Sequence, residues 1–339
     1  MVKLHVFRTI ASFAMLAKYV RCSTGTFRGG PTKSKVSLVT FDVDGTLIHG
    51  ASTTAELSSH AKAFSYGVGK TFSDDPDGFQ RKFPYPLACI EPKYYHGSTD
   101  GLIVLHFARA SLGLLPTDTM SKLKTAFKHM YDYIAKMSDA DMCRGIEALP
   151  GVVDTLKKFS DDKIKRHVLC GLVTGNVEGI ARKKMRAVGI LATGALSPKS
   201  KDQDWDGEND AAFLGGFGSD YCSGDIEDYS RNYKDRGEQI IIAYNRAKSM
   251  LGPDQEIVRV VHVGDAPADV LAAKYCAEER KFGEHVTTSC IAVATGKFAA
   301  NELSSLFCDP IPGVWEPYVL EKGIADPSFI EKCVIDHDD

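Results

Sequence analysis

With 339 residues the chain exceeds the usual size of one domain, so it has room for a large core plus a second domain or a long insertion. Its formal net charge of -3 excludes a bulk electrostatic reason to bind nucleic acid or an anionic membrane surface, which leaves small molecules as partners. The nine cysteines, odd in number and without a C-x-x-C pair, argue for free thiols in a reducing compartment, and no stretch reaches the roughly 18 apolar residues of a membrane span.

The first 41 residues hold seven Lys or Arg and no acidic residue; Asp42 is the first carboxylate. On a helical wheel Lys3, Arg8, Lys18 and Arg21 fall on one side, opposite Val2, Val6, Phe13, Leu16 and Val20. A basic amphipathic segment followed by Ser, Thr and Gly reads as a targeting leader over residues 1–35, mitochondrial rather than secretory because Lys18 interrupts the apolar centre. The alternatives are a plastid address or a frayed helix on a cytoplasmic chain.

Next comes "KVSLVTFD" (35–42), which predicts a strand. Residues 51–147 then predict only helices, in "DGLIVLHFARASLGLL" and "SKLKTAFKHMYDYIAKM", and read as a helical insertion. Within it "GVGKT" (67–71) imitates a phosphate-binding loop, but Phe64 stands where the first Gly is required and no strand precedes it, so it reads as a plain loop. In "LPGVVDTLKKF", Pro150 and Gly151 punctuate the start of a helix. A strand follows in "HVLCGLV" (167–173), and residues 199–236, including "GGFGSD" (215–220), read as a polar, glycine-rich loop or small hairpin. A helix over Glu238–Leu251 and strands in "EIVRVVHV" (256–263) and "CIAVATG" (290–296) complete the alternation, and residues 321–339 read as a tail ending in the solvated "VIDHDD". Strand alternating with helix predicts an α/β fold with a doubly wound parallel sheet formed by 36–50 and 148–320.

Three of these strands end in polar signatures: "FDVDGT" (41–46), "VTGN" (173–176) and "VGDAPAD" (263–269). Ligands of open parallel sheets bind at the carboxyl edge, so the three signatures should meet in one crevice. In this order they resemble the motifs of the haloacid dehalogenase-like superfamily of phosphohydrolases. The D-x-D-G-T motif is matched by Asp42 to Thr46, the strand-closing Thr by Thr174, and G-D-x-x-x-D by Gly264, Asp265 and Asp269. The resemblance implies a Rossmann-like core with an inserted α-helical cap, here residues 51–147.

It also implies chemistry. Asp42 would be the nucleophile that forms an aspartyl-phosphate, and Asp44 the acid and base that serves the leaving group and then water. Gly45 would permit the turn and Thr46 secure it. Crowded carboxylates need a cation, and an all-oxygen set from Asp42, Asp44 (by its carbonyl) and Asp265 suits Mg²⁺. Asp269 would orient the site from behind or ligate directly, and His262 reads as a core histidine. Thr174 with the N–H groups of Gly175 and Asn176 would bind phosphate oxygens at a helix start. The family's usual Lys-Pro pair is missing, so its cation maps to Arg236, with Lys234 as alternate, just before the helix that precedes the metal-binding strand.

"HGSTDGLIV" (96–104) resembles the G-x-T-D segment in caps of phosphoglycolate phosphatase-like members, which assigns Ser98, Thr99 and Asp100 to substrate or cap closure; a helix N-cap explains the same residues. The expected activity is Mg²⁺-dependent hydrolysis of a small phosphomonoester, a phosphoglycolate-like acid or a sugar phosphate. The alternatives are a phosphosugar mutase using the same two aspartates and a non-catalytic protein that binds phosphorylated ligands.

Overall fold

The computed structural model describes residues 33–50, 58–73, 97–196, 214–307 and 310–334. The leader predicted over 1–35 therefore lies outside the described residues apart from its last three. In chain order the principal elements are β1 (Ser34–Phe41), β2 (Ile48–Gly50), α1 (Ser59–Phe72), α2 (Asp100–Leu112), α3 (Leu123–Ala135), β3 (Ile146–Ala148), α4 (Val152–Phe159), β4 (Val168–Thr174), α5 (Glu178–Ala187), β5 (Gly215–Phe217), α6 (Asn232–Met250), β6 (Gln255–Gly264), α7 (Pro267–Glu278), β7 (Thr287–Val293), β8 (Trp315–Leu320) and α8 (Phe329–Cys333).

The strands form a six-stranded sheet in the order β5-β4-β1-β6-β7-β8, parallel at every pairing. Such a sheet must be covered on both faces, and successive side chains on a strand serve opposite faces. In β1, Val39 and Phe41 enter one apolar cluster with Leu156 and Phe159 of α4 and Met185 of α5, whereas Leu38 enters another with Ile240 and Ala243 of α6 and Val270 of α7. Phe41, Phe159 and Phe329 meet with ring centroids 6.1–6.2 Å apart. The α/β, doubly wound expectation is met.

Between β2 and β3, which pair as a short antiparallel ribbon, the chain builds a helical layer. Phe64 and Val68 of α1, Leu102, Leu105 and Phe107 of α2, and Phe127, Met130 and Ile134 of α3 share a third cluster, joined by Val177 and by Ile180 of α5. Thr99 caps α2 by accepting from Leu102 N, and Gly113 closes it in the left-handed region at φ 70°.

Several expectations are corrected. "GVGKT" is not a loop but part of α1, where Gly67 lets the helix approach Met130 and Ala126 of α3 so closely that a Cβ would overlap the Met130 side chain. "GGFGSD" is not a flexible loop at its start: Gly215–Phe217 is the edge strand β5. Its glycines are there for proximity, since a Cβ on Gly215 would overlap Leu172 O and one on Gly216 would overlap Gln239 O of α6. The helix predicted from Glu238 begins six residues earlier, at Asn232. The supposed tail from 321 holds Ile324, Phe329 and Cys333, all in the core cluster, because the apolar face of α8 covers the sheet beside α4. Residues 335–339 of "VIDHDD" lie outside the described residues.

The substitution Gly216→Ala is expected to destabilise the fold by about 1–3 kcal/mol, since α6 must back away from β5 to admit one methyl group. Urea unfolding of both proteins measures it, and an unchanged midpoint would refute the close approach.

Candidate active site

The site grows from the carboxyl ends of β1, β4 and β6. Asp42 N donates to Val263 O at 2.8 Å, so pairing of β1 with β6 continues up to the first aspartate. The chain then folds back: Leu47 N and Ile48 N both donate to Val43 O, Gly45 N donates to Ile48 O, and Gly45 takes φ 93°. Val43 is fully buried beneath this loop. Asp42 and Asp44, two apart, are left lining one cavity of about 490 Å³, a size that suits a small ligand.

The two carboxylates meet different cations. Arg236 of α6, itself 3% exposed, donates through Nη1 to Asp42 Oδ1 at 2.7 Å and to Val173 O at 3.0 Å, and its Nε lies 3.5 Å from Asp269 Oδ1. Asp44 is half exposed to the cavity, and Lys184 Nζ of α5 donates to its two oxygens at 2.8 and 2.7 Å. Asn176 Nδ2 adds a third donor to Asp44 at 2.8 Å.

Asp42, Asp265 and Asp269 place one oxygen each within 4.8 Å of one another. Thr46 donates to Asp265 Oδ1 at 3.1 Å, and Gly45 and Gly296 press so closely on the Asp265 carboxyl that a Cβ on either would overlap it. Burial, then Asp42 and Asp269, push Asp265 well above the usual carboxylate range; burial raises Asp42 as well, although Arg236 opposes it. Burial also works against ionised Asp269, but Arg236 and His262 outweigh it and hold this carboxyl low. Enclosure within the cleft pushes Asp44 up less than Lys184, with His60, pulls it down. Carboxylates kept this close, Asp265 and Asp42 both reluctant to ionise, fit a hard divalent cation that would relieve their repulsion.

The expected residues do not all face the cavity. Asp42, Asp44, Thr174, Gly175, Asn176, Arg236, Asp265, Ser98 and Asp100 line it. Asp269 is fully buried behind it, with Oδ1 3.2 Å from His262 Nε2 and Oδ2 accepting from Ala266 N, so its oxygens are already engaged. His262 is a core residue that also reaches Thr40 Oγ1 through Nδ1, and so fixes Asp269 from beneath. Arg236 is the fifth residue of α6 rather than a loop residue before it. Lys234, the alternate, points elsewhere and lies over the Tyr275 ring. Gly175 and Asn176 precede a helix that starts only at Glu178, and Asn176 N already donates to Thr174 Oγ1 at 3.3 Å. Of the "STD" residues, Thr99 serves the α2 cap; Asp100 accepts from Val177 N and lies 2.9 Å from His60 Nε2; Ser98 Oγ is buried without a hydrogen-bond partner among the described residues.

Lys184 and His60 were not expected from the sequence. A signal for Lys184 exists, because it occupies the inward stripe of α5 with Ile180, Ala181 and Met185, where a lysine needs a buried partner. His60 Nδ1 lies 3.2 Å from Lys184 Nζ and gives no comparable signal.

The family model described as haloacid dehalogenase-like hydrolase matches residues 36–276. No curated protein sequence matches the chain.

Removing the guanidinium by Arg236→Met is expected to cost about 3–5 kcal/mol of stability near neutral pH, because Asp42 and Asp269 remain buried without it. Asp269, held low in the wild type, contributes stability that is present above the ordinary carboxylate range and lost as pH falls through its folded value. In the variant both carboxyls favour their neutral forms, so acid relieves them and the gap to wild type narrows. Urea titrations near pH 7 and near pH 4.5 test the sign; a gap that widened in acid would contradict it.

Proposed function

Because the chain belongs to the haloacid dehalogenase-like hydrolases, we propose that it is a Mg²⁺-dependent phosphatase acting on small phosphomonoesters. The observation that carries this reading is the pair Asp42 and Asp44, which line one cavity yet are tied to different cations, Arg236 and Lys184. Two carboxyls in unlike electrostatic settings suit unlike roles.

The reaction divides into two displacements. An Asp42 oxygen attacks phosphorus, the ester P–O bond breaks with its electron pair on the leaving oxygen, and that oxygen takes a proton from Asp44. The substrate dianion beside Asp44 raises its affinity for this proton, against the pull of Lys184. Water then attacks phosphorus, its proton passes to Asp44, and the P–O bond to Asp42 breaks to release phosphate. Arg236 neutralises charge beside the nucleophile, and Thr174 with Gly175 borders the cavity as a phosphate cradle.

The Asp42 side chain, the Asp44 carbonyl and Asp265 would hold Mg²⁺, with Asp269 bracing Arg236 from behind. When bound, the ion supplies charge neutralisation for the phosphoryl oxygens. The layer of α1, α2 and α3 serves as the cap, and the unpartnered Ser98 hydroxyl as a substrate contact within it. A cleft of this size beneath a helical layer favours a phosphorylated acid or sugar over a phosphoprotein. Among the described residues no helix is long and apolar enough to cross a membrane.

Phosphate release from a panel of phosphorylated metabolites, with and without Mg²⁺, tests the reading. Asp42→Asn is expected to abolish release, and Asp44→Asn to lower it by about 10²–10⁴-fold on alkyl phosphates. No release from any compound by the wild type would sink the phosphatase reading.

Mg²⁺ is further expected to raise the melting temperature more at mildly alkaline than at mildly acidic pH, because binding requires Asp265 to lose the proton that burial and its neighbours favour. Thermal unfolding of wild type and Asp265→Asn checks this, and an equal shift in both proteins would exclude Asp265 as a ligand.

A further inference from the structure

We propose that Lys184 is a positioning residue for Asp44, holding its carboxyl on the side of the cavity where the ester leaving group departs; this rests on the phosphatase reading above. Lys184 is 3% exposed and is not part of the cavity wall, so it acts through Asp44 rather than on substrate. Its ammonium has three N–H donors, and the surroundings use them all: the Asp44 oxygens at 2.8 and 2.7 Å, Asn176 Oδ1 at 2.6 Å and His60 Nδ1 at 3.2 Å. An ammonium only donates, so His60 Nδ1 accepts from Lys184 and its Nε2–H donates to Asp100 Oδ2 at 2.9 Å.

The anchor is stiff because α5 is held from two directions. Ala181 and Met185 pack into the sheet cluster, while Ile180 packs into the cluster of α1, α2 and α3. Asp44, in contrast, is half exposed and precedes a glycine with positive φ. A half-exposed carboxyl has several rotamers within reach, and a general acid must meet one oxygen at hydrogen-bond distance. Lys184 and Asn176 select one orientation, and His60 carries that selection to the helical layer that roofs the cavity. Misplacement of a reacting group by about 1 Å costs on the order of 10²-fold in rate.

A leaving group that departs unaided separates this role from simple structural support. In p-nitrophenyl phosphate the phenolate leaves without needing a proton, whereas the alkoxide of glycerol 3-phosphate must receive one. For the full chain with Mg²⁺, Lys184→Met is expected to slow first-turnover release of glycerol from glycerol 3-phosphate by about 10²-fold and first-turnover release of p-nitrophenolate far less, whereas the later attack by water, which uses Asp44 on both substrates, slows alike for the two. Lys184→Arg, which keeps a cation, is expected to recover most of the loss, and His60→Gln to show a smaller skew in the same direction.

If Lys184→Met does not fold, the ratio of the two rates in Lys184→Arg and His60→Gln decides the matter. Equal losses in the two first-turnover rates, or a ratio of those rates unchanged in every variant, would overturn the inference while leaving the phosphatase reading in place. A wild-type protein inert towards both compounds would remove that reading and this inference together.

Discussion

Everything at the centre of this molecule follows from like charges brought too close together. Asp42, Asp265 and Asp269 lie within 4.8 Å of one another at a site that water barely reaches. Two buried or nearly buried cations make that crowding tolerable, each from a helix of its own: Arg236 on α6 for Asp42 and Asp269, and Lys184 on α5 for Asp44. Replacing either helix by one of similar packing but without its cation would keep a core and lose a site.

The cations also divide the labour among the carboxyls. Asp269 is fully buried, ionised and committed to Arg236, His262 and the start of α7, so it behaves as a fixed part of the scaffold. Asp265 keeps its high proton affinity because burial and the neighbouring Asp42 and Asp269 outweigh the hydrogen bond that Thr46 donates to it. Asp44 stands apart on the far side of the Gly45 turn with its own cation. Four chemically identical side chains thus acquire different characters from position alone, in a hydrolase whose family typically employs a divalent metal.

Much of this was legible in the sequence because it is written locally. The buried strands announce themselves as short β-branched runs, and the aspartates follow two of them directly, so β1, β4, β6 and β7 and the convergence of Asp42, Asp44, Thr174 and Asp265 on one edge could be read without coordinates. Strand β5 could not: its glycines look like a flexible loop until Leu172 O and Gln239 O are seen where side chains would stand. The helical nature of "GVGKT" was hidden for the same reason, since Gly67 is excused by Met130, which lies far along the chain. The partners of Lys184 and His60 were missed because pairing across 140 and 40 residues respectively leaves no local trace, although the place of Lys184 on the inward stripe of α5 marks it as a lysine in need of one. Arg236 was found because its place is defined by order along the chain, although its helix begins earlier than the polar composition suggests.

The pairing of β1 with β6 sets a condition on how the protein comes into being. Thr40 and His262 are 222 positions apart, and Asp42 and Arg236 are 194 apart, so the first aspartate waits through most of biosynthesis before its neighbours emerge. Contacts of such long range close late and slowly. A nascent chain lacking β6 exposes an apolar β1 edge and has neither Asp265 nor Asp269, so it is both sticky and inert. The centre of this sheet therefore works as a completion signal: its carboxylates assemble only in a chain whose two ends have found each other.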